Sequence, residues 1–329
     1  MKNRNNSDSK LRGRKWIAAA IENLNPEEDY AEIWRLSTNY YISDFIMNLV
    51  YALGIPSFTQ YPEGSAIMAI TTEKAMRKPH DRANDTLRHF WVWFEYGPND
   101  PRMQASLAHV NRTHAGLSKK VSAGTFSSRH VIYTTAWIGV FLHRLRISLG
   151  LNGYTDKQKI ATQRYWAEIC RQFWSEDGMV VDYPESFEKM LDVVEDYETQ
   201  PWPMVTSGMV LTEAIINQFV DAWFPRSMRW VGRQIYLSLQ RPSILKLMRS
   251  GRPNPIAKPL IRGGLKTFLW LQEHVIPDPK VSTPEKARMR YPRAAQHIDP
   301  PTANPAIQLS GVAGETNKNP SASGCPFHL

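Results

Sequence analysis

The chain has 329 residues, of which 42% are hydrophobic and 22% charged, an ordinary composition for a globular protein of one or two domains. Its formal charge is +9, and it contains two cysteines in all. These values exclude a fully disordered chain and a disulfide framework, and the cysteine content suits a reducing compartment. No nucleic-acid motif accompanies the positive charge, so we expect no nucleic-acid partner.

Residues 1–26 are polar and basic. The apolar segment at 16–21 is too short for the core of a signal peptide, and Glu22 and Asn23 follow it directly. We therefore predict a flexible basic N-terminal arm, no secretion signal and a cytoplasmic protein. Such an arm can also make a weak peripheral contact with anionic lipid.

The folded body is predicted to begin at residue 27, because Asn25-Pro26-Glu27-Glu28 is typical of a helix start. Apolar residues at helical spacing then predict one helix from Asp29 to Leu53, ended by Gly54 and Pro56. Further helices are predicted at 81–96, from 100 through His114 to about 121, and at 129–149, 155–174, 183–197, 205–222, 226–249 and 257–274.

None of these segments shows the alternation of a strand, and the spacers between them are short. The sequence therefore predicts an all-α fold with a single large multi-helix domain over residues 27–280. The apolar stretches at 42–58 and 131–142 are too short or too interrupted to span a bilayer and are predicted to be buried helices. Residues 281–329 change to Pro, Ala, Asn, Ser and Gly, which predicts a disordered tail.

Common motifs of metal, hydrolase and nucleotide sites are missing from the sequence, including His-Glu-x-x-His, Glu-x-x-His, paired cysteines, Gly-x-Ser-x-Gly and glycine-rich phosphate loops. An acidic cluster is formed by Glu195, Asp196 and Glu198, beside Lys189 and Asp192 on one predicted helix. We interpret this cluster as a solvated helix face.

Two neighbouring predicted helices carry the remaining candidates. Arg82 and Thr86 are one turn apart on the first, and His89 follows three residues later. On the second, Asn111 and His114 are three residues apart, and His114 lies next to an apolar stripe. This spacing permits a cation, a hydroxyl and an imidazole in one cavity. It also fits Arg82 paired with a surface acid and His114 as a hydrogen-bonded core residue.

Three segments, in order, carry a family resemblance: Lys78-Pro79-His80-Asp81-Arg82-Ala83-Asn84-Asp85-Thr86, then Tyr96-Gly97, then Ala108-His109-Val110-Asn111-Arg112-Thr113-His114-Ala115-Gly116-Leu117. In outline they form an Arg-x-x-x-Thr pair, an aromatic-Gly turn and a Val-Asn-x-x-His-Ala helix. This pattern resembles the family of latex-clearing rubber oxygenases and mpaB-type oxygenases, and the similarity covers most of residues 78–280.

The resemblance implies a haem b-dependent oxygenase that acts with O2 on a small apolar substrate, such as an isoprenoid or an unsaturated lipid-like molecule. By the same resemblance, His114 is the axial iron ligand, Arg82 and Thr86 are catalytic, and both bind the cofactor together with Asn111. His89 is the rival ligand. The family's lysine directly before the Thr is Asp85 here, so a lysine-capped iron is not expected.

Two other interpretations remain open from the residues alone. In the first, the chain is a haem-free helical ligand-binding or scaffold protein in which His114 is structural. In the second, it is a peripheral membrane protein whose basic termini meet anionic lipid while its body carries an apolar ligand. Haem content and membrane binding distinguish these interpretations from the oxygenase.

Overall fold

A computed structural model describes residues 13–290, and fifteen α-helices dominate this range. In chain order they are α1 (Trp16–Glu22), α2 (Tyr30–Thr38), α3 (Asp44–Phe58), α4 (Pro62–Ala66), α5 (Lys74–Arg77), α6 (Pro79–Glu95), α7 (Pro101–Ser118), α8 (Ser128–Ser148), α9 (Asp156–Cys170), α10 (Phe187–Glu198), α11 (Thr206–Trp223), α12 (Arg229–Leu239), α13 (Pro242–Leu247), α14 (Ala257–His274) and α15 (Thr283–Arg290). A π-helical turn, Ile67–Thr71, joins α4 to α5. The β-structure of the described residues is one antiparallel hairpin of two-residue strands, β1 (Trp174–Ser175) and β2 (Gly178–Met179). The predicted all-α fold is confirmed.

Polar residues cap several helices, two of them where the sequence predicts a start and the third, α10, four residues after its predicted start at 183. The carboxylate of Asp100 accepts a hydrogen bond from the Arg102 backbone amide at 2.9 Å at the start of α7. Thr155 and Gln158 form a reciprocal capping box at the start of α9. The hydroxyl of Ser186 accepts from a backbone amide at 3.1 Å and caps α10. These bonds satisfy amides that a helix leaves unpaired at its first turn.

The single predicted helix at 29–53 is wrong, because the chain forms two helices there, α2 and α3. Ser43 is extended, and its hydroxyl accepts a hydrogen bond from the backbone amide three residues later at 3.3 Å, so it caps a new helix. Helix α3 then continues through Gly54 and Pro56, the two residues predicted to end it. Residues 47–57 are all buried, and tertiary packing outweighs the local helix-breaking preference. The predicted helix at 226–249 also divides, into a 3-10 turn, α12 and α13.

One continuous core joins most of the helices, with α3 packed against α6, α8 and α11. Trp34 of α2 stacks on Tyr165 of α9, with ring centroids 5.4 Å apart, and meets Trp166 edge to face at 5.5 Å. The buried hydroxyl of Tyr165 is 2.7 Å from the carbonyl oxygen of Trp93 and 2.6 Å from that of Tyr96. These contacts tie α9 to the end of α6, the helix that carries Arg82 and Thr86.

The predicted flexible arm over 1–26 is wrong for its described part, residues 13–26. Trp16 and Ile17 of α1 are buried in a second apolar cluster together with side chains of α2. The backbone amide of Ile17 donates to the Asp278 carboxylate at 2.9 Å, and the Lys15 ammonium lies 3.2 Å from the same carboxylate. Burial of these apolar side chains outweighs the entropy of ordering the segment. Residues 1–12 of the predicted arm lie outside the described residues.

The predicted boundary at residue 280 is also wrong, because the folded chain continues beyond it. Helix α15 follows, and the amide of Thr283 donates to the carbonyl of Asn39 at 2.9 Å. Arg288 of α15 forms an ion pair with Glu95 at the end of α6. Long-range polar contacts of this kind have no signal in local composition. The remainder of the predicted disordered tail, 291–329, lies outside the described residues.

The apolar stretches at 42–58 and 131–142 lie in α3 and α8, where most of their residues are buried. Within residues 13–290, no helix combines the length and the apolarity that crossing a bilayer requires.

The interpretation of the acidic cluster as a solvated face is wrong for Glu198, which is 2% exposed. Its carboxylate lies 2.6 Å from the Arg144 guanidinium of α8 and 2.6 Å from the Arg241 guanidinium, between α12 and α13. Two cations from distant parts of the chain thus compensate a buried anion, as burial of a charge requires.

Candidate functional site

A cavity of about 470 Å³ lies between α6, α7 and the start of α8, with residues of α3, α4 and the π-helical turn completing its wall. Apolar atoms make up most of the lining surface, although about half of the lining residues are polar: seven threonines, four histidines, Lys74, Arg82 and Asp85. A volume in the range of about 300–1,000 Å³ with such a lining is typical of a small-molecule or cofactor site. Of the four predicted site residues, three line this cavity: Arg82, Thr86 and His114.

Arg82 and Thr86 lie one turn apart on α6, as predicted. The Thr86 hydroxyl lies 3.1 Å from the Arg82 carbonyl oxygen, and the Arg82 guanidinium donates to the same hydroxyl. The pairing of Arg82 with a surface acid is not observed, since no carboxylate of residues 13–290 forms an ion pair with it. Asp85, one turn away, pairs instead with Lys74 of α5, and both also line the cavity. A cation without a carboxylate partner therefore remains on the cavity wall.

His114 lies on α7, is half-buried and lines the cavity. Burial, together with the positive charges of Arg82 and His89, lowers its pKa to about 4, so the ring is neutral near neutral pH. Its Nδ1 is buried and has no hydrogen-bond partner in the described part of the chain. The alternative of a hydrogen-bonded core histidine is therefore not observed. Phe126 packs against the ring with centroids 4.8 Å apart.

The rival ligand His89 faces the same cavity but is held by other side chains. Its Nδ1 lies 2.7 Å from the Ser106 hydroxyl, which also accepts a hydrogen bond from the Trp93 indole at 2.9 Å. Its ring stacks on His109 at 5.5 Å between centroids. Burial and the neighbouring His109 lower the pKa of His89 to about 4. One of its two ring nitrogens is thus already engaged, whereas His114 has neither engaged within residues 13–290.

Asn111 does not line the cavity, and its amide is used elsewhere. Its Nδ2 donates to the carbonyl of Gln172 at 2.8 Å, and its Oδ1 accepts from the backbone amide of Trp174 at 3.0 Å. Asn111 thus has a structural role, because it fastens α7 to Gln172 and to the start of β1, and its role in cofactor binding stays a prediction. The fastening still matters for the site, because Asn111 precedes His114 by one turn of the same helix.

Sequence reasoning did not identify His130, which is half-buried on the cavity wall in the first turn of α8. Its ring stacks on Tyr61 with centroids 3.8 Å apart and planes 6° from parallel, and its Nδ1 lies 2.7 Å from the Tyr197 hydroxyl. Burial and the nearby Arg129 lower the pKa of His130 to about 4. Thr134, four residues later, lines the same cavity. The spacing of four between two polar residues on an apolar helix was the available sequence signal.

Within residues 13–290, no three histidine, cysteine, aspartate or glutamate side chains are grouped so that they could hold a metal ion. A metal site built from protein ligands alone is therefore not supported in this range. An imidazole without a hydrogen-bond partner, such as that of His114, suits a metal that brings most of its own ligands.

Comparison with protein-family models finds no match, and no curated protein sequence matches either. Among solved structures, a latex clearing protein in the closed state matches with a TM-score of 0.54 and 16% sequence identity, over 84% of this chain and 74% of that one. At this identity the match concerns the fold. The chain therefore has a helical fold distantly similar to that of a latex clearing protein.

Proposed function

We propose that this chain is a haem b-dependent oxygenase that acts with O2 on a small apolar substrate. The observation that carries the proposal is His114, a neutral imidazole on the wall of the 470 Å³ cavity with no hydrogen-bond partner among the described residues. The fold similarity to a latex clearing protein and the sequence pattern around Arg82 and His114 support the same function.

Two properties of His114 suit an axial ligand. With a pKa of about 4, the ring keeps a lone pair for a metal near neutral pH. The ring also has no hydrogen-bond partner within residues 13–290, so no other side chain competes with a metal for it.

Arg82 and Thr86 suit the periphery of the same cofactor. Haem carries two carboxylates, and the guanidinium of Arg82 is a cation on the cavity wall without a carboxylate partner in the described residues. We assign it to a haem carboxylate, which a guanidinium binds in a forked geometry. The bond from Arg82 to the Thr86 hydroxyl fixes the direction of the guanidinium.

When bound, the haem supplies the activation of O2, while the protein supplies the ligand, the orientation and a dry pocket. Phe90, Trp93 and Phe173 form an aromatic wall, with Trp93 5.9 Å from Phe90 and 5.4 Å from Phe173 between centroids. Such a wall excludes water and favours an apolar substrate.

Haem titration of the purified full-length chain tests the proposal. We expect a Soret band in the wild type that is lost in His114→Ala and retained in His109→Ala, a matched control on the same helix and the same cavity wall. A second variant, His114→Gly, should regain the band when imidazole is added, which separates ligand loss from misfolding. A colourless wild type, or a normal Soret band in His114→Ala, contradicts the proposal. Apolar ligand binding by a colourless protein would favour the haem-free alternative.

A further inference from the structure

We propose that His130 and Thr134 form a second polar point of the cavity, which binds a carbonyl or hydroxyl oxygen of an otherwise apolar ligand. The inference rests on the proposed function in taking this ligand to be the substrate. It adds a substrate class: a hydrocarbon skeleton that carries one neutral oxygen.

The orientation of His130 is fixed on two sides. Tyr61 stacks on its ring at 3.8 Å, and the Tyr197 hydroxyl lies 2.7 Å from its Nδ1. Tyr197 is itself held by a stack on Tyr133 at 3.7 Å between centroids. It also lies against Trp202, whose indole donates to the Tyr197 carbonyl at 2.9 Å. The imidazole therefore belongs to a rigid aromatic assembly.

The bond to Tyr197 bears on which ring nitrogen carries the proton. The Tyr197 hydroxyl has one hydrogen-bond partner in the described part of the chain, His130 Nδ1, and the roles of the two atoms depend on the tautomer of the ring. We take the phenol as the donor, because otherwise its buried proton would have no acceptor within residues 13–290. In the neutral ring the proton is then on Nε2. No residue of 13–290 forms a hydrogen bond with Nε2, and the side chain lines the cavity. His130 thus offers the cavity an N–H donor.

Thr134 adds a second group one helical turn further along. A buried helical threonine commonly donates to the carbonyl four residues earlier, as Thr135 does to Val131 at 2.8 Å. Thr134 forms no such bond within residues 13–290, and it lines the cavity. Residues 130 and 134 therefore lie on the same face of α8, one helical turn apart.

This polar point and His114 lie on different helices, α8 and α7, and both line the cavity. The same cavity is lined by apolar side chains of α7, of α8 and of the segment that joins them, including Val110, Leu117, Phe126 and Val131. A ligand anchored at His130 by its oxygen can place its hydrocarbon part against these side chains.

Ligand affinity measured on the full-length chain without added haem tests the inference. The probes are menthone and its oxygen-free counterpart menthane, each used to displace the neutral fluorophore phenylnaphthylamine. One neutral hydrogen bond is worth a factor of about 2 to 12 in affinity. We expect His130→Leu and Thr134→Val each to weaken menthone about 3- to 10-fold and to leave menthane within about 2-fold. The matched control is Thr59→Val, since the Thr59 hydroxyl lines the cavity but donates to the Ile55 carbonyl at 2.8 Å.

Thr134→Val keeps the shape of the side chain, so it reports on the hydroxyl even if His130→Leu perturbs folding. Three results overturn the inference. They are equal effects of the variants on menthone and menthane, no effect of Thr134→Val on either probe, and failure of menthone to displace the fluorophore. Haem binding is recorded separately by the Soret band. If the chain stays colourless but Thr134→Val weakens menthone and not menthane, the inference stands and the haem proposal is wrong. If the chain binds haem but Thr134→Val affects neither probe, the haem proposal stands and the inference is wrong.

Discussion

Replacing Glu198 by alanine should destabilise the protein strongly. Glu198 is 2% exposed, and its carboxylate lies 2.6 Å from the guanidinium groups of both Arg144 and Arg241. Glu198→Ala removes the buried counterion of two guanidinium groups. Loss of one partner of a fully buried ion pair costs about 3–5 kcal/mol, but the side chains of Arg144 and Arg241 are 21% and 33% exposed and still pair with Glu195, so we expect a cost of about 2–3 kcal/mol. For a domain of this size, unfolding entropy converts 1 kcal/mol into about 2 °C, so we expect the melting temperature to fall by about 4–6 °C.

Glu195 provides a matched control, because it pairs with the same two arginines one turn away on α10. Its carboxylate lies 2.8 Å from Arg241 and 3.8 Å from Arg144, and its side chain is 55% exposed. An exposed ion pair contributes about 0–1 kcal/mol, so Glu195→Ala should lower the melting temperature by no more than about 2 °C. Thermal unfolding followed by circular dichroism near neutral pH measures both. Equal shifts in the two variants would refute the reasoning that burial, rather than pairing, sets the cost.

Three further changes have defined outcomes. Acidification from about pH 6.5 to about pH 4 should destabilise the fold. Over this range histidines of the unfolded chain become protonated while the buried imidazoles of the folded chain stay neutral, which lowers the free energy of unfolding by up to about 3 kcal/mol for each histidine. The three histidines concerned, each with a pKa of about 4, are His89, His114 and His130. Gly139→Ala should cost about 1–3 kcal/mol, because a Cβ there would lie 2.8 Å from atoms of both Met190 and Trp166. Gly263→Ala should instead stabilise α14 by about 0.5–1 kcal/mol, because no atom lies within 4 Å of the added Cβ. Asn111→Ala should cost about 1–3 kcal/mol through the lost bonds to the Gln172 carbonyl and the Trp174 amide.

Melting temperatures check all three. A stability that is constant between pH 6.5 and pH 4 contradicts the burial of the imidazoles. Similar melting temperatures for Gly139→Ala and Gly263→Ala contradict the close packing around α8. An Asn111→Ala variant as stable as the wild type contradicts its role in fastening α7.

The helix pattern was accessible from the sequence because its signals are local. The helices predicted from residues 100 and 155 are capped there by Asp100 and Thr155, whereas the helix predicted from residue 183 begins later, after the cap Ser186. Arg82, Thr86 and His114 reach one cavity from two helices. The prediction of a single helix at 29–53 is wrong because long-range packing, and not a local signal, decides the structure there. Gly54 and Pro56 have breaking preferences of local origin, and burial of the whole second half of α3 overrides them.

Residues whose role depends on a distant partner were missed. In the sequence, Glu198 is one of several acids on a polar helix. Its burial follows only from the ion pairs with Arg144 and Arg241, which lie outside that helix. His130 is an isolated histidine in sequence, and its function as a cavity donor follows only from Tyr61 and Tyr197, more than sixty residues away on either side. Spacing along one helix reports neither kind of contact.

The carboxylate of Asp278 joins the two ends of the described chain: it binds the Ile17 amide, the Lys15 ammonium and, at 2.8 Å, the hydroxyl of Tyr41. The first helix therefore docks on a residue 261 positions later. During synthesis on the ribosome, the joint to Asp278 can form only after nearly all of the described chain has emerged. The apolar side chains of α1 can pack against those of α2 much earlier, so the polar joint at Asp278 completes the docking of a helix that α2 already covers in part.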